Sequence, residues 1–160
     1  MAIPPIQGDL REFLRLLGVH GARFLLVGGY AVNYYGYVRA TGDMDVWVEP
    51  SEVNAGRVAA AIREFGFDVP ELSADLFVDP DSVVGMGERP FRIEVLTSIS
   101  GVAFEECYAE RVVEHLEDTE VPFISLHHLK ANKRAAGRPK DRADVHELSV
   151  PRRRRRGQAP

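Results

Sequence analysis

The 160-residue sequence has few features of secreted or membrane-bound proteins. Its only cysteine is Cys107, which excludes an intramolecular disulfide and is typical of a protein in a reducing compartment. No apolar run is long enough to cross a membrane. The start of the chain also lacks the basic segment followed by an apolar segment that marks a secretory signal. These absences predict a cytoplasmic protein without a membrane partner.

Lysine is also scarce, and its positions are part of a strong charge asymmetry between the two ends of the chain. The three lysines, Lys130, Lys133 and Lys140, all lie within residues 121–160. Residues 1–120 carry 9 arginines and 21 acids, a net charge of −12, whereas residues 121–160 carry 11 basic residues and 3 acids, a net charge of +8. A basic end on an acidic body indicates an anionic partner such as nucleotide phosphates or nucleic acid.

The composition, 45% hydrophobic and 28% charged, is that of a globular protein. We predict one domain over residues 1–150 and a basic, disordered tail over residues 151–160. Hydrophobic periodicity predicts an α/β (α+β) fold. Predicted helices cover residues 9–17, 30–35, 51–65, 104–109, 125–136 and 139–148. Predicted strands cover residues 23–27, 43–48 and 91–96, a hairpin covers 111–116 and 121–124, and weaker strands cover 67–69, 76–78 and 83–86.

Two aspartates, Asp43 and Asp45, interrupt the apolar strand 43–48. Residues i and i+2 of a strand point the same way, so the two carboxylates project side by side. Burying such a pair is costly unless a cation lies between them, and Mg²⁺ is commonly held by one or two carboxylates plus substrate phosphates. The pair therefore indicates a site for Mg²⁺ or Mn²⁺; the alternative is a solvated pair at a sheet edge. Arg39 and Thr41 would add a cation and a hydroxyl beside this site.

A third acid and a glycine turn complete the pattern. Glu94 is the acid of the apolar strand 91–96, and it would face the aspartates if the two strands were neighbours. Gly28 and Gly29 join a strand to a helix, where glycine lets the backbone approach a phosphate closely. Each feature alone is common. Together, and in this order, they indicate phosphoryl or nucleotidyl transfer supported by metal ions.

Three segments resemble the DNA polymerase β-like nucleotidyltransferase superfamily. The segment "LLVGGYAVNYYGYVRATGDMDVWV" places 13 residues between the Gly-Gly turn and the Asp-x-Asp strand. "FRIEVLTSISGVAFEE" is similar to the strand that carries the third carboxylate, and "LHHLKANKRAAGRPKDRADVHEL" resembles the C-terminal Lys-rich helix. "VRATGDMDVWVEPS" is most similar to small bacterial members, like the nucleotidyltransferases of abortive-infection and toxin–antitoxin systems. The resemblance covers about residues 20–148.

The resemblance implies a mixed β-sheet flanked by helices, with the active site at its edge. Asp43, Asp45 and Glu94 would bind the catalytic metal, and Glu94 would help to deprotonate the attacking hydroxyl. The predicted nucleotide-binding residues are Gly28, Gly29, Arg39, Thr41, Lys133 and Lys140. Asp141 and Asp144 share a helix face, and we interpret them as partners of structural ion pairs, with Lys140 or Arg134 as candidate cations. The alternative is that one of the two acids reaches the active site.

The predicted function is a metal-dependent nucleotidyltransferase that moves NMP from an NTP to a hydroxyl of RNA, protein or a small molecule. The same resemblance points to a toxin–antitoxin or phage-defence system. The third acid departs from the usual Asp of the superfamily. This favours the alternative of a catalytically weak or inactive binding module for nucleotide, RNA or a partner protein. A third hypothesis is an interaction domain whose aspartates are solvated.

The remaining candidates are interpreted as structural. The histidines follow no recognisable zinc-ligand spacing, so we interpret them as surface or packing residues. Trp47 shares the strand face of the aspartates and is predicted to line the same pocket. Cys107 is predicted to be a buried helix residue.

Overall fold

A computed structural model describes residues 6–151 of the chain. Residues 152–160, which form nearly all of the predicted basic tail, lie outside that range. The helices are α1 (Gly8–Val19), α2 (Gly28–Tyr34), α3 (Glu52–Phe65), α4 (Phe104–Ala109), α5 (Leu126–Ala136) and α6 (Pro139–Ser149), with a 3₁₀ helix at Ala74–Phe77. The strands are β1 (Phe24–Val27), β2 (Asp43–Val48), β3 (Val83–Met86), β4 (Arg92–Leu96), β5 (Val112–Leu116) and β6 (Thr119–Phe123).

The six strands form one mixed sheet in the order β3-β4-β2-β1-β6-β5. Strand β2 runs parallel to β4, and β1 runs parallel to β6. The other neighbours are antiparallel, including the β5–β6 hairpin that the sequence predicts. The predicted α/β (α+β) class, with a mixed sheet and flanking helices, is confirmed.

Local side-chain chemistry explains where the helices begin and end. The Ser51 side chain accepts a hydrogen bond from the backbone N–H of Asn54 and caps α3, as the sequence predicts. Ser125 caps α5 in the same way. Gly137 ends α5 in the left-handed conformation that glycine adopts without strain. Pro139 occupies the first position of α6, where its missing N–H costs nothing.

Two of the three weaker strand predictions are wrong. Residues 83–86 do form β3, at one edge of the sheet. Residues 67–69 form no strand, and residues 76–78 belong to the 3₁₀ helix and the turn that follows it. The Ser73 side chain accepts a hydrogen bond from Asp75 and starts this helix, which buries Phe77 completely. Local capping and burial of one aromatic ring therefore determine this segment.

The core covers both faces of the central strand β2. Met44, Val46 and Val48 are fully buried on one face. On the face that carries the aspartates, Trp47 is 1% exposed and its ring lies edge-on to Phe104 of α4, with centroids 5.2 Å apart. Trp47 is thus a core residue, and the prediction that it lines the site is wrong. Within residues 6–151, no helix has the length and apolar character needed to cross a membrane.

Candidate active site

The register of the sheet brings three carboxylates together on one face. In the parallel pair β2–β4, Asp45 is directly opposite Glu94. Asp43 lies two residues before Asp45 on β2, so its side chain points to the same face. Directly paired residues of neighbouring strands point to the same face, and the strands lie about 4.8 Å apart. The condition under which Glu94 would face the aspartates, that the two strands are neighbours, is therefore met.

Asp45 is held in a position that disfavours its negative charge. Its Oδ1 is buried and has no hydrogen-bond partner within residues 6–151. Burial, followed by the negative charges of Glu94 and Asp43, raises the pKa of Asp45 from 3.8 to about 6. Lys133 and Lys140 partly oppose this effect. A cation at Oδ1 would relieve both the repulsion and the unsatisfied oxygen.

Two arginines that the sequence analysis did not single out neutralise the other two acids. Arg89 donates from Nε and Nη2 to the Asp43 carboxylate at 3.2 and 3.1 Å. Arg92 donates from Nε to Glu94 Oε1 at 3.3 Å. The side chain of Arg89 is 74% exposed, so its pairing is readily exchanged for another anion. Both arginines and Glu94 line an open cavity of about 460 Å³.

The Gly-Gly turn packs directly against the acidic strand. Gly28 has a φ of +63°, and a Cβ at this position would overlap the Oδ2 atom of Asp45. A Cβ at Gly29 would lie 2.5 Å from Thr41 Oγ1. That hydroxyl donates to the backbone carbonyl of Asp43 at 3.0 Å and fixes the entry into β2. The two glycines thus let the turn approach Asp45 and Thr41 closely; their contact with a triphosphate stays a prediction.

Gly28→Ala is expected to destabilise the protein and to displace the Asp45 carboxylate. A left-handed alanine costs about 1 kcal/mol or more by itself, and the overlap with Asp45 adds to this. The matched control is Gly56→Ala in α3, where a Cβ meets nothing within 4 Å and removing a helical glycine stabilises by roughly 0.5–1 kcal/mol. Urea denaturation of both variants checks the result, and equal stabilities would contradict it.

A buried ion network joins the C-terminal helices to the loop before β2. Lys133 Nζ lies 3.3 Å from Asp141 Oδ1 and 3.1 Å from Asp144 Oδ2. Asp144 also accepts two hydrogen bonds from Arg39, at 2.8 and 2.9 Å. Arg138 donates to Asp141 at 2.7 Å. The prediction that both acids form structural ion pairs is confirmed.

The cations of that network differ from those proposed from the sequence. Lys140 and Arg134 are the cations predicted from the sequence, whereas the partners in the structure are Lys133, Arg39 and Arg138. Arg39 is predicted to bind nucleotide, and its guanidinium instead lies against Asp144. A nucleotide-binding role for Arg39 stays a prediction. To bind a phosphate, the Arg39 guanidinium would have to leave Asp144 or share its hydrogen bonds with it.

A second cavity, of about 370 Å³, connects the acidic strand to this network. Its lining residues come from the Gly-Gly turn, β2, the segment after β4, and helices α5 and α6: Val27, Gly28, Asp45, Leu96, Ser98, Ile99, Ser100, Asn132, Lys133, Ala136, Arg138 and Asp141. The lining thus combines the acidic residue Asp45 with two basic residues, Lys133 and Arg138. Lys140 is exposed, and its charge also acts on Asp45.

The donor chemistry of the three acids suits a hard divalent cation. Asp43, Asp45 and Glu94 offer only oxygen atoms, the ligands that Mg²⁺ and Mn²⁺ prefer. One of those oxygens, Asp45 Oδ1, is buried without a partner among the described residues. We therefore find that the residues present fit Mg²⁺ or Mn²⁺, with Arg89 and Arg92 as the charges that a metal would replace.

The comparisons with known proteins do not name a family. No protein-family model matches the chain, and a search of curated proteins finds no match. The resemblance to the DNA polymerase β-like nucleotidyltransferases therefore stays a prediction from the sequence motifs. The fold and the register of β2 and β4 come from the structure.

Proposed function

We propose that the protein is a metal-dependent nucleotidyltransferase that moves NMP from an NTP to a hydroxyl of RNA, protein or a small molecule. The observation that carries the proposal is the pairing of Asp45 with Glu94 across parallel strands, with Asp43 on the same face. The buried Asp45 Oδ1, which has no partner within the described part of the chain, supports a cation at this point.

In the proposed reaction, the acceptor hydroxyl attacks the α-phosphorus of the NTP, and the bond to the β-phosphate oxygen breaks to release pyrophosphate. Asp43, Asp45 and Glu94 would hold Mg²⁺ or Mn²⁺, which would neutralise phosphate charge and activate the attacking hydroxyl. Glu94 would take the proton of that hydroxyl. Its extra methylene, compared with Asp, extends the carboxylate further from β4.

The basic residues around the site would neutralise the triphosphate. A cation bound by the acids would free the guanidinium groups of Arg89 and Arg92 from Asp43 and Glu94, and both could then pair with phosphate oxygens in the cavity that they line. Lys133 faces the second cavity beside Asp45, and Lys140 adds exposed positive charge nearby.

A second candidate function is a nucleotide- or RNA-binding module without turnover. It is favoured by one observation: Arg89 and Arg92 already neutralise two of the three acids. In this case the net charge of +8 over residues 121–160 would supply most of the affinity. Binding would weaken with salt and would survive Asp43→Asn. A cytoplasmic location and a place in a toxin–antitoxin or phage-defence system belong to either proposal.

The test is transfer of label from each α-labelled NTP, with Mg²⁺ or Mn²⁺, to total RNA and to host proteins. Wild type runs beside Asp43→Asn/Asp45→Asn and beside the matched control Asp79→Asn/Asp81→Asn, which has the same spacing in an exposed turn. Label on one acceptor that only the first variant loses would support the enzyme. Absence of label, together with nucleotide or RNA binding, would favour the binding module.

A further inference from the structure

A second cluster of potential metal ligands lies away from the carboxylates, where α4 ends and α5 begins. Glu110 follows the last residue of α4, and His127 and His128 lie in the first turn of α5. Glu110 Oε2 lies 3.1 Å from His127 Nε2 and 3.3 Å from His128 Nε2. One ligand atom from each residue lies within 4.8 Å of the others. Two imidazoles and a carboxylate thus converge on one point.

The distances between these atoms fit the coordination sphere of zinc. Zn²⁺ binds imidazole nitrogen and carboxylate oxygen at about 2.0–2.1 Å in tetrahedral geometry, which separates any two ligand atoms by about 3.3 Å. The two distances from Glu110 Oε2 are close to that value. Two histidines and a glutamate form a recognised zinc-binding set, with the fourth position left for water. The cluster therefore needs little rearrangement to receive the ion.

The structure also fixes the orientation of one ligand. His128 is largely buried, and its Nδ1 lies 2.9 Å from the Ser125 hydroxyl, so that its Nε2 points towards Glu110. A hydrogen bond to the non-ligating nitrogen is the usual way in which proteins set the ring orientation of a metal-binding histidine. The two imidazole rings lie 3.9 Å apart, which brings His127 to the same side.

We propose that Glu110, His127 and His128 bind one divalent transition-metal ion of the Zn²⁺ class. The ion would tie the end of α4 to the start of α5, the helix that carries Lys133 at the second cavity. The interpretation of the histidines as surface or packing residues missed this arrangement because the glutamate lies 17 residues before His127, just after a different helix. The inference is independent of the proposed nucleotidyl transfer.

The test is a titration of the chelator-treated full chain with Co²⁺ and with Zn²⁺. Visible absorption of Co²⁺ reports tetrahedral coordination, calorimetry gives the number of sites, and thermal unfolding gives the stabilisation. All variants are made in the Asp43→Asn/Asp45→Asn background, which removes the carboxylate site. We expect one tetrahedral site in this background. His127→Ala and Glu110→Gln should each weaken binding at least about tenfold and remove the zinc-dependent rise in Tm.

His115→Ala is the matched control. His115 lies 3.5 Å from Glu120 on the β5–β6 hairpin, but this exposed pair belongs to no group of three ligands among the described residues. Its replacement should leave the affinity unchanged. The proposal is overturned if the background variant binds no Co²⁺ or Zn²⁺. It is equally overturned if His127→Ala and Glu110→Gln bind as tightly as the background, or if His115→Ala weakens binding as much as they do.

Discussion

Asp45→Asn is expected to abolish nucleotidyl transfer and, at the same time, to stabilise the metal-free protein at neutral and alkaline pH. The pKa of Asp45 is raised from 3.8 to about 6 in the folded protein, first by burial and then by Glu94 and Asp43. The folded state therefore prefers the neutral carboxyl. An amide of the same shape keeps that neutral form at every pH and removes a ligand from the proposed metal site.

The sign of the pH dependence follows from linkage. A raised pKa in the folded state means that the favourable contribution of the protonated Asp45 is complete below pH 3.8 and is lost as pH rises through about 6. Each pKa unit corresponds to about 1.4 kcal/mol, so the shift costs the wild type about 3 kcal/mol above pH 7. Asp45→Asn should be more stable than wild type by about this amount at pH 8, and by very little near pH 4.

The measurement is urea denaturation of both proteins across this pH range with a chelator present. Adding Mg²⁺ at pH 8 should then raise the stability of the wild type and leave that of Asp45→Asn unchanged. Asp79→Asn serves as the control for loss of an exposed carboxylate, and its stability should follow that of the wild type. A variant that is less stable than the wild type at pH 8 would show that the Asp45 charge is favourable in the folded protein.

Asp144→Ala is expected to cause the largest loss of stability, about 3–5 kcal/mol, because it breaks a buried ion pair from one side. Asp144 is 1% exposed, and it contacts both Arg39 and Lys133. Lys133 still has Asp141 as a partner after the change. Arg39, whose side chain is 14% exposed in the wild type, loses its only described carboxylate partner. A typical domain is stable by about 5–15 kcal/mol, so the variant should be near the limit of folding.

The control for Asp144→Ala is Glu12→Ala, which removes the exposed partner of Arg15 on α1 and should leave unfolding nearly unchanged. Urea denaturation of the two variants gives the comparison. The double variant Arg39→Met/Asp144→Leu removes both charges, and it should be more stable than Asp144→Ala since no guanidinium is left unpaired. If Asp144→Ala unfolds at the same urea concentration as Glu12→Ala, the network contributes little to stability.

Local patterns predicted the parts of this fold that local physics controls. The alternation of apolar and polar residues over 43–48 and 91–96 identified β2 and β4. This pattern depends only on the burial of one strand face and does not depend on which strand lies next to it. Ser51 and Pro139 marked helix starts because their side chains act on the backbone within one turn. The same reasoning failed for residues 76–78, where a Ser73 cap and the burial of Phe77 prevailed over strand propensity.

By itself, the sequence determined most of the elements, the acids on their strand faces, and the Gly-Gly turn ahead of them, because each depends on neighbours within a few residues. Only the tertiary structure decided that β2 and β4 pair in parallel with Asp45 opposite Glu94. It alone placed Arg89 on Asp43, Arg39 on Asp144, and Glu110 beside the two histidines. These contacts join residues far apart in the chain, and the packing of the whole sheet and its helices sets their geometry.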